Sequence, residues 1–241
     1  MNNFKYIKLE RKGKICICIL NRPEKKNALS EALRTEILTA LDDLREDDRI
    51  STVIFYGGKE FFSTGFDKDE VQEAILDPEK TQRLKDTSLL FHKKFFEYPK
   101  LTIAAISGYA LGGGFDLAIL CHLRVASKTA IFGHPEIGFG AVPLFFSYMS
   151  LIGRGKALEL VLNTTRKENF IDAEEAYHLN IINKLVEPEN VLNEAINMAK
   201  QIHKSPKLAV SSLLKVNNAF FDQYKAYENE VDVIVSNMIK K

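Results

Sequence analysis

Residues 101–120 constrain the fold more than any other stretch. Residues 101–107 form an apolar, partly β-branched run, Gly108-Tyr109-Ala110-Leu111-Gly112-Gly113-Gly114 follows, and residues 115–120 read as an apolar helical turn. Strand, glycine loop and helix in that order belong to an α/β architecture. The alternation recurs along the chain. Ile15–Leu20 predicts a buried strand, stopped by the turn residues Asn21-Arg22-Pro23-Glu24. Ser30 can cap a helix carrying Leu33, Ile37, Leu38, Leu41 and Leu44 at three-to-four spacing, which ends in the charged residues 45–49. Thr52–Tyr56 predicts the next strand, running into Gly57-Gly58 and the compact segment Phe61-Phe62-Ser63-Thr64-Gly65-Phe66-Asp67. Residues 68–80, polar and acidic, predict a mobile surface element before a helix over 81–97. Further short strands are expected over 123–126 and 130–132.

Beyond Arg154 the chain reads as helical. Asp172-Ala173-Glu174-Glu175 spells a capping box and Pro188 suits the start of another helix. Leu208, Leu213, Leu214, Val216, Phe220, Phe221, Val231, Val233 and Ile234 make apolar stripes in the tail. The organisation expected is an α/β core over residues 1–190 and a helical region over 191–241, packed on the core or on a partner subunit.

Charge removes several functions. Lys and Arg total 33 against 32 for Asp and Glu, so there is no broad basic field for a nucleic acid or a membrane surface. Cys16 and Cys18 lie two apart in a strand, on one face, where a bridge between them is disfavoured. With the odd third thiol, Cys121, they read as core residues of a reducing compartment, which gives the cytoplasm as the expected location. Residues 1–11 lack an apolar export core, and no uninterrupted apolar run of about 18 residues occurs, so neither export nor a membrane span is expected.

The chain has no Walker loop, no Gly-x-Ser-x-Gly elbow and no His-Glu-x-x-His, and its five scattered histidines predict no metal site. What remains is the glycine loop, whose free N–H groups at a helix start favour a negative oxygen, phosphate or oxyanion alike. Two carboxylates sharpen it. Asp116 falls in the first turn of that helix, and Glu136 follows Pro135 in a rigid loop.

Four blocks in order then carry a resemblance: Asn21-Arg22-Pro23-Glu24-Lys25-Lys26-Asn27-Ala28-Leu29-Ser30, Phe62-Ser63-Thr64-Gly65-Phe66-Asp67, Ser107-Gly108-Tyr109-Ala110-Leu111-Gly112-Gly113-Gly114-Phe115-Asp116, and Phe132-Gly133-His134-Pro135-Glu136-Ile137-Gly138. The sequence resembles the enoyl-CoA hydratase/isomerase, or crotonase, superfamily. The resemblance implies a spiral of strand-strand-helix turns with a C-terminal helical trimerisation region, assembled as a homotrimer or a dimer of trimers. It implies an acyl-CoA thioester as substrate, with CoA a part of that substrate and no separate cofactor. The backbone N–H groups of Phe66 and Gly113 would form the oxyanion hole, and Asp116 and Glu136 would be the catalytic acids. Lys25, Lys26 and Ala28 would meet CoA, while Ser63, Thr64, Gly65, Asp67, Gly112 and Leu144 would line the substrate.

Two departures bear on the reaction. Asp116 stands where the hydratases usually carry glutamate, and Val142-Pro143-Leu144-Phe145-Phe146 replaces a glycine-rich stretch, which should make that wall bulkier and drier. Hydration of a 2-enoyl-CoA is the leading expectation. Isomerisation of the double bond by Glu136 alone is the alternative, and a non-catalytic acyl-CoA-binding protein a more distant one.

Overall fold

Alternation along Ile15–Leu20 (β2) decides the layering. Cys16, Cys18 and Leu20 enter one apolar cluster, while Ile15 and Ile17 enter another on the opposite face, as a period of two requires. Thr52–Tyr56 (β3) and Leu101–Ile106 (β5) repeat the pattern, with Val53, Phe55, Ala104 and Ile106 on the first face and Ile54, Ile103 and Ala105 on the second. Strands covered on both faces are continuous apolar runs.

The computed structural model describes residues 3–139 and 143–220, with the separate positions 225, 228, 229 and 231. With Ile7–Lys12 (β1), Leu123–Ser127 (β7) and Lys184–Val186 (β10), these strands form a six-stranded sheet in the order β1-β2-β3-β5-β7-β10. Only β1 runs antiparallel to its neighbour. A second sheet orders Phe61–Ser63 (β4), Tyr109–Leu111 (β6), Ile131–Gly133 (β8) and Ile171–Asp172 (β9), the first three parallel and the last antiparallel.

After Glu46, three successive turns of the chain each give one strand to each sheet and then helix. β3 and β4 lead to Lys68–Leu76 (α2) and Pro78–Phe96 (α3), β5 and β6 to Gly113–Leu120 (α4), and β7 and β8 to Phe145–Ile152 (α5) and Arg154–Asn163 (α6). This is the spiral of strand-strand-helix turns expected from the sequence. Helix Glu31–Glu46 (α1) buries Leu33, Ile37, Leu41 and Leu44 in the same cluster as Phe91 and Phe95 of α3, and Ser30 caps it by accepting from the Leu33 amide at 3.3 Å. On the other face of the large sheet, Val191–Ile202 (α8) buries Val191, Ala195, Ile196 and Ala199 against Ile15, Ile17 and Ile103. Residues 191–202 therefore complete the core of the α/β body.

The structure corrects four expectations. Within the expected surface element, given no secondary structure from the sequence, residues 68–76 form helix α2, and α3 begins at Pro78, three residues before the expected start. Side-chain caps hold both: Asp67 accepts from Asp69 N at 3.0 Å and Asp77 from Glu79 N at 2.9 Å, while α2 buries only Ala74. Residues 7–12, given no element from the sequence, form β1. The part beyond Arg154 contains β9 and β10 as well as helices, the former ending at Asp172, whose carboxylate caps Ala173–His178 (α7) from Glu175 N at 2.8 Å. Of the expected tail stripe, Leu214 is buried and Leu208, Leu213 and Val216 of Lys207–Phe220 (α9) are exposed. Phe221, Val233 and Ile234, and Val142 of the expected wall, lie outside the described residues. Among the described residues no helix is long and apolar enough to cross a membrane.

Candidate active site

Three parallel strands of the small sheet, β4, β6 and β8, end on one side. The chain leaving each carries part of the expected site: Thr64–Asp67 after β4, Gly112–Asp116 after β6, and His134–Glu136 after β8. Loops at the carboxyl ends of parallel strands are where α/β sheets hold ligands. Pairing of Leu111 with Gly133, extended by the Gly112 N to Gly133 O bond of 2.9 Å, sets the second and third loops side by side.

Glycine is required where these loops touch. Gly65 has φ +92°, and a Cβ there would stand 2.8 Å from Leu111 O and 2.9 Å from Gly113 N. The Phe66 and Gly113 amides are thus neighbours, and neither donates to an acceptor among the described residues. Gly112 has φ +51°, and a Cβ there would meet the Glu136 carboxylate at 2.9 Å. The Phe66 ring lies over the buried Arg34 guanidinium, 4.7 Å from ring centroid to Cζ.

The two acids are held differently. Asp116 is 6% exposed. Burial pushes its carboxyl up to about 7; Glu136 adds to the rise, and His134, the Tyr148 hydroxyl and the Leu144 amide oppose it. Tyr148 Oη donates to Asp116 Oδ1 at 3.1 Å. Glu136 Oε1 pairs with His134 Nδ1 at 2.9 Å, and Glu136 Oε2 is buried with no partner among the described residues. Burial pulls the His134 imidazole down, yet Glu136 and Asp116 together hold it above its ordinary value. Leu144, at the N-terminus of α5, is buried, with its amide against Asp116.

The remaining expected residues build the loops. Asn27, in a left-handed conformation at φ +54°, donates to Gly57 O at 2.7 Å and Phe61 O at 3.1 Å and accepts from Arg22 N at 3.0 Å. Ser63 is fully buried, donates to Asn27 O at 2.8 Å and accepts from Gly65 N at 3.2 Å. Thr64 N meets Lys26 O at 3.2 Å. Asp67 pairs with Arg22 at 2.5 Å, and Arg22 also reaches Ala28 O at 3.1 Å; burial raises the Asp67 carboxyl, but Arg22 and the Asp69 amide outweigh that and hold it below its ordinary value. Ala28 N donates to Lys25 O at 2.9 Å. Lys25 is exposed and pairs with Asp69 at 3.0 Å, and Lys26 lies over the Phe61 ring. Removing the Asn27 side chain takes the donor from the part-buried Gly57 and Phe61 carbonyls and the acceptor from the Arg22 amide, so Asn27→Ala should cost about 2–3 kcal/mol of stability. Chemical denaturation of the purified variant measures it.

His134 and Tyr148 were not assigned roles from the sequence. His134 lies in the segment Phe132–Gly138, one residue before Pro135. Tyr148 carries the one available signal, a phenol in the apolar run that forms α5, because a buried hydroxyl there needs an acceptor.

A family model described as enoyl-CoA hydratase/isomerase matches residues 10–239. The chain is 35% identical over 216 residues to a probable mitochondrial enoyl-CoA hydratase of Dictyostelium discoideum, covering 88% of this chain and 75% of that protein. It is 31% identical over 230 residues to the short-chain-enoyl-CoA hydratase of Clostridium acetobutylicum, covering 92% and 86%. The crystal structure of an enoyl-CoA hydratase/isomerase from Xanthobacter autotrophicus Py2 superposes with a TM-score of 0.89 at 27% identity, covering 97% of this chain and 87% of that one.

Proposed function

Since the chain belongs to the enoyl-CoA hydratase/isomerase family, we infer that it is an enoyl-CoA hydratase, a lyase adding water across the 2,3 double bond of an acyl-CoA thioester. The observation that carries the reading is the pair of acids, one buried and protonation-prone, the other with an oxygen that has no partner among the described residues, beside two amides that have none among them either. In this mechanism Glu136 Oε2 takes a proton from a water held between the acids, and the oxygen attacks the β-carbon. The double-bond electrons move toward the thioester, and the Phe66 and Gly113 amides hold the resulting enolate oxygen. Asp116, in its protonated form, gives a proton to the α-carbon, and the extra proton on Glu136 then returns to Asp116. Like charges so close resist joint ionisation, which keeps one acid and one base at the same pH.

The reaction needs no cofactor beyond the CoA of the substrate, since base, acid and oxyanion donors complete it. We assign contact with CoA to the loop that carries Lys25, Lys26 and Ala28. Exposed Leu208, Leu213 and Val216 on α9 are an apolar stripe that suits a neighbouring subunit, and a homotrimer or dimer of trimers is the assembly we propose. The buried, unbridged Cys16, Cys18 and Cys121 suit a reducing compartment, and the cytoplasm is the location we propose.

Incubation of the protein with 2-enoyl-CoA and 3-enoyl-CoA thioesters of increasing chain length tests the activity. A 3-hydroxyacyl-CoA product from the 2-enoyl substrates, gaining the mass of one water, is expected; interconversion of the two series without that gain would mean an isomerase. Asp116→Asn separates the mechanisms further. It removes the acid, so hydration should fall at least about a hundredfold, whereas isomerisation by Glu136 alone should lose far less; the two rates are measured on one substrate series.

A further inference from the structure

Asp116 is held by α5. A carboxylate on a short side chain reaches little by itself, and here its direction is fixed from outside by the Tyr148 hydroxyl at 3.1 Å and by the Leu144 amide at the start of the same helix. Tyr148 is fully buried. Burial, with Asp116 beside it, keeps the phenol far above its ordinary value, so it stays a donor across the working range. Glu136 is held in the same way by His134, whose Nδ1 faces Oε1 while Nε2 is buried without a partner among the described residues; with an acceptor-only carboxylate opposite, Nδ1 carries the proton.

The two holders touch. The Tyr148 ring meets the His134 ring edge-on at 4.9 Å and 88°, and both pack on Phe115, Tyr148 at 5.0 Å and 70° and His134 at 5.1 Å and 19°. Phe115 precedes Asp116 in α4, so one aromatic cluster joins the helix that carries one acid, the helix that aims it and the loop that carries the other. A ring contact at this density passes on displacement of either partner.

We propose that Tyr148 is a positioning residue for Asp116, and that its contact with His134 ties the two carboxyl groups into one acid–base unit. The proposal rests on the hydration reading above. It assigns Tyr148 no contact with substrate; its effect is the direction and protonation of Asp116. The groups facing Asp116 are His134 and Glu136 from the loop after β8 and Tyr148 with the Leu144 amide from α5, and Arg124 of β7 faces Tyr148 in turn.

Tyr148→Phe keeps the ring and removes only the donor. The hydroxyl favours the ionised form of Asp116, so its loss should move the titration of Asp116 upward, and with it the alkaline limb of the pH profile of kcat/KM. Turnover should fall at least about tenfold with KM within about threefold, and the unfolding temperature should stay near that of the parent. In an Asp116→Asn background the same change should cost nothing further, because its target is gone. His134→Asn, which keeps a donor near the Nδ1 position, should retain far more turnover than His134→Leu, and this pair tests the tie should Tyr148→Phe fail to fold.

Parent-like turnover with an unmoved alkaline limb in Tyr148→Phe would overturn the proposal. So would additive losses in the double variant, or equal activity in the two His134 variants. Glu136→Gln distinguishes the levels of the argument: full turnover in that variant removes the hydration reading itself, while an inactive Glu136→Gln beside an unaffected Tyr148→Phe removes only the positioning role.

Discussion

Glu136→Gln is expected to lower turnover at least about a thousandfold while acyl-CoA affinity stays within a few-fold of the parent. The substitution keeps the volume of the side chain against Gly112, where space is tight enough that a Cβ would stand 2.9 Å from Oε2. It also keeps an acceptor for His134 Nδ1, provided the amide oxygen takes the place of Oε1. What it loses is a carboxylate Oε2 that has no partner among the described residues and can take a proton. Conversion of a 2-enoyl-CoA, followed by loss of the conjugated thioester absorbance, gives kcat; calorimetric titration with a 3-hydroxyacyl-CoA gives affinity. Activity within about tenfold of the parent removes Glu136 as the base.

Much of this arrangement was legible in the chain because its signals are local. β2, β3 and β5 are apolar on both faces and stand out as runs, and Ser30 and Asp172 advertise helix starts by chemistry that acts within three residues. β1 was hidden for the opposite reason. Of its six residues only Ile7 is buried, so an edge strand paired on one side alone presents no apolar face. In α2 a single buried residue, Ala74, leaves the helix to depend on its caps rather than on an apolar stripe. The site divides in the same way. Asp116 and Glu136 could be picked out by their places beside a glycine loop and a proline, but what fixes their directions could not. The bond from Tyr148 to Asp116 spans 32 positions, and only the packing of α5 on α4 creates it.

Gly65→Ala should reduce kcat/KM several hundredfold, because Gly65 spaces the two amides assigned to the enolate oxygen. The backbone cost comes first: φ +92° is open to glycine and strained for alanine, at about 1–3 kcal/mol. The steric cost is more specific. The new Cβ would lie 2.8 Å from Leu111 O and 2.9 Å from Gly113 N, and both are main-chain atoms, one at the end of β6 and the other at the start of α4, so neither can swing aside as a flexible side chain would. Relief requires the loop after β4 to move away from the start of α4, which pulls the Phe66 and Gly113 amides apart. Loss of one oxyanion donor costs about 3 kcal/mol of transition-state stabilisation, a factor of roughly a hundred or more. Gly58→Ala supplies the control. Gly58 has φ +100° and no atom within 4 Å of a Cβ placed there, so alanine brings the backbone strain without the displacement. Both variants should melt earlier than the parent, but only Gly65→Ala should lose turnover out of proportion to its stability. Rates measured well below both unfolding transitions compare them directly, and equal losses of kcat/KM would mean that the spacing of these amides does not limit the reaction.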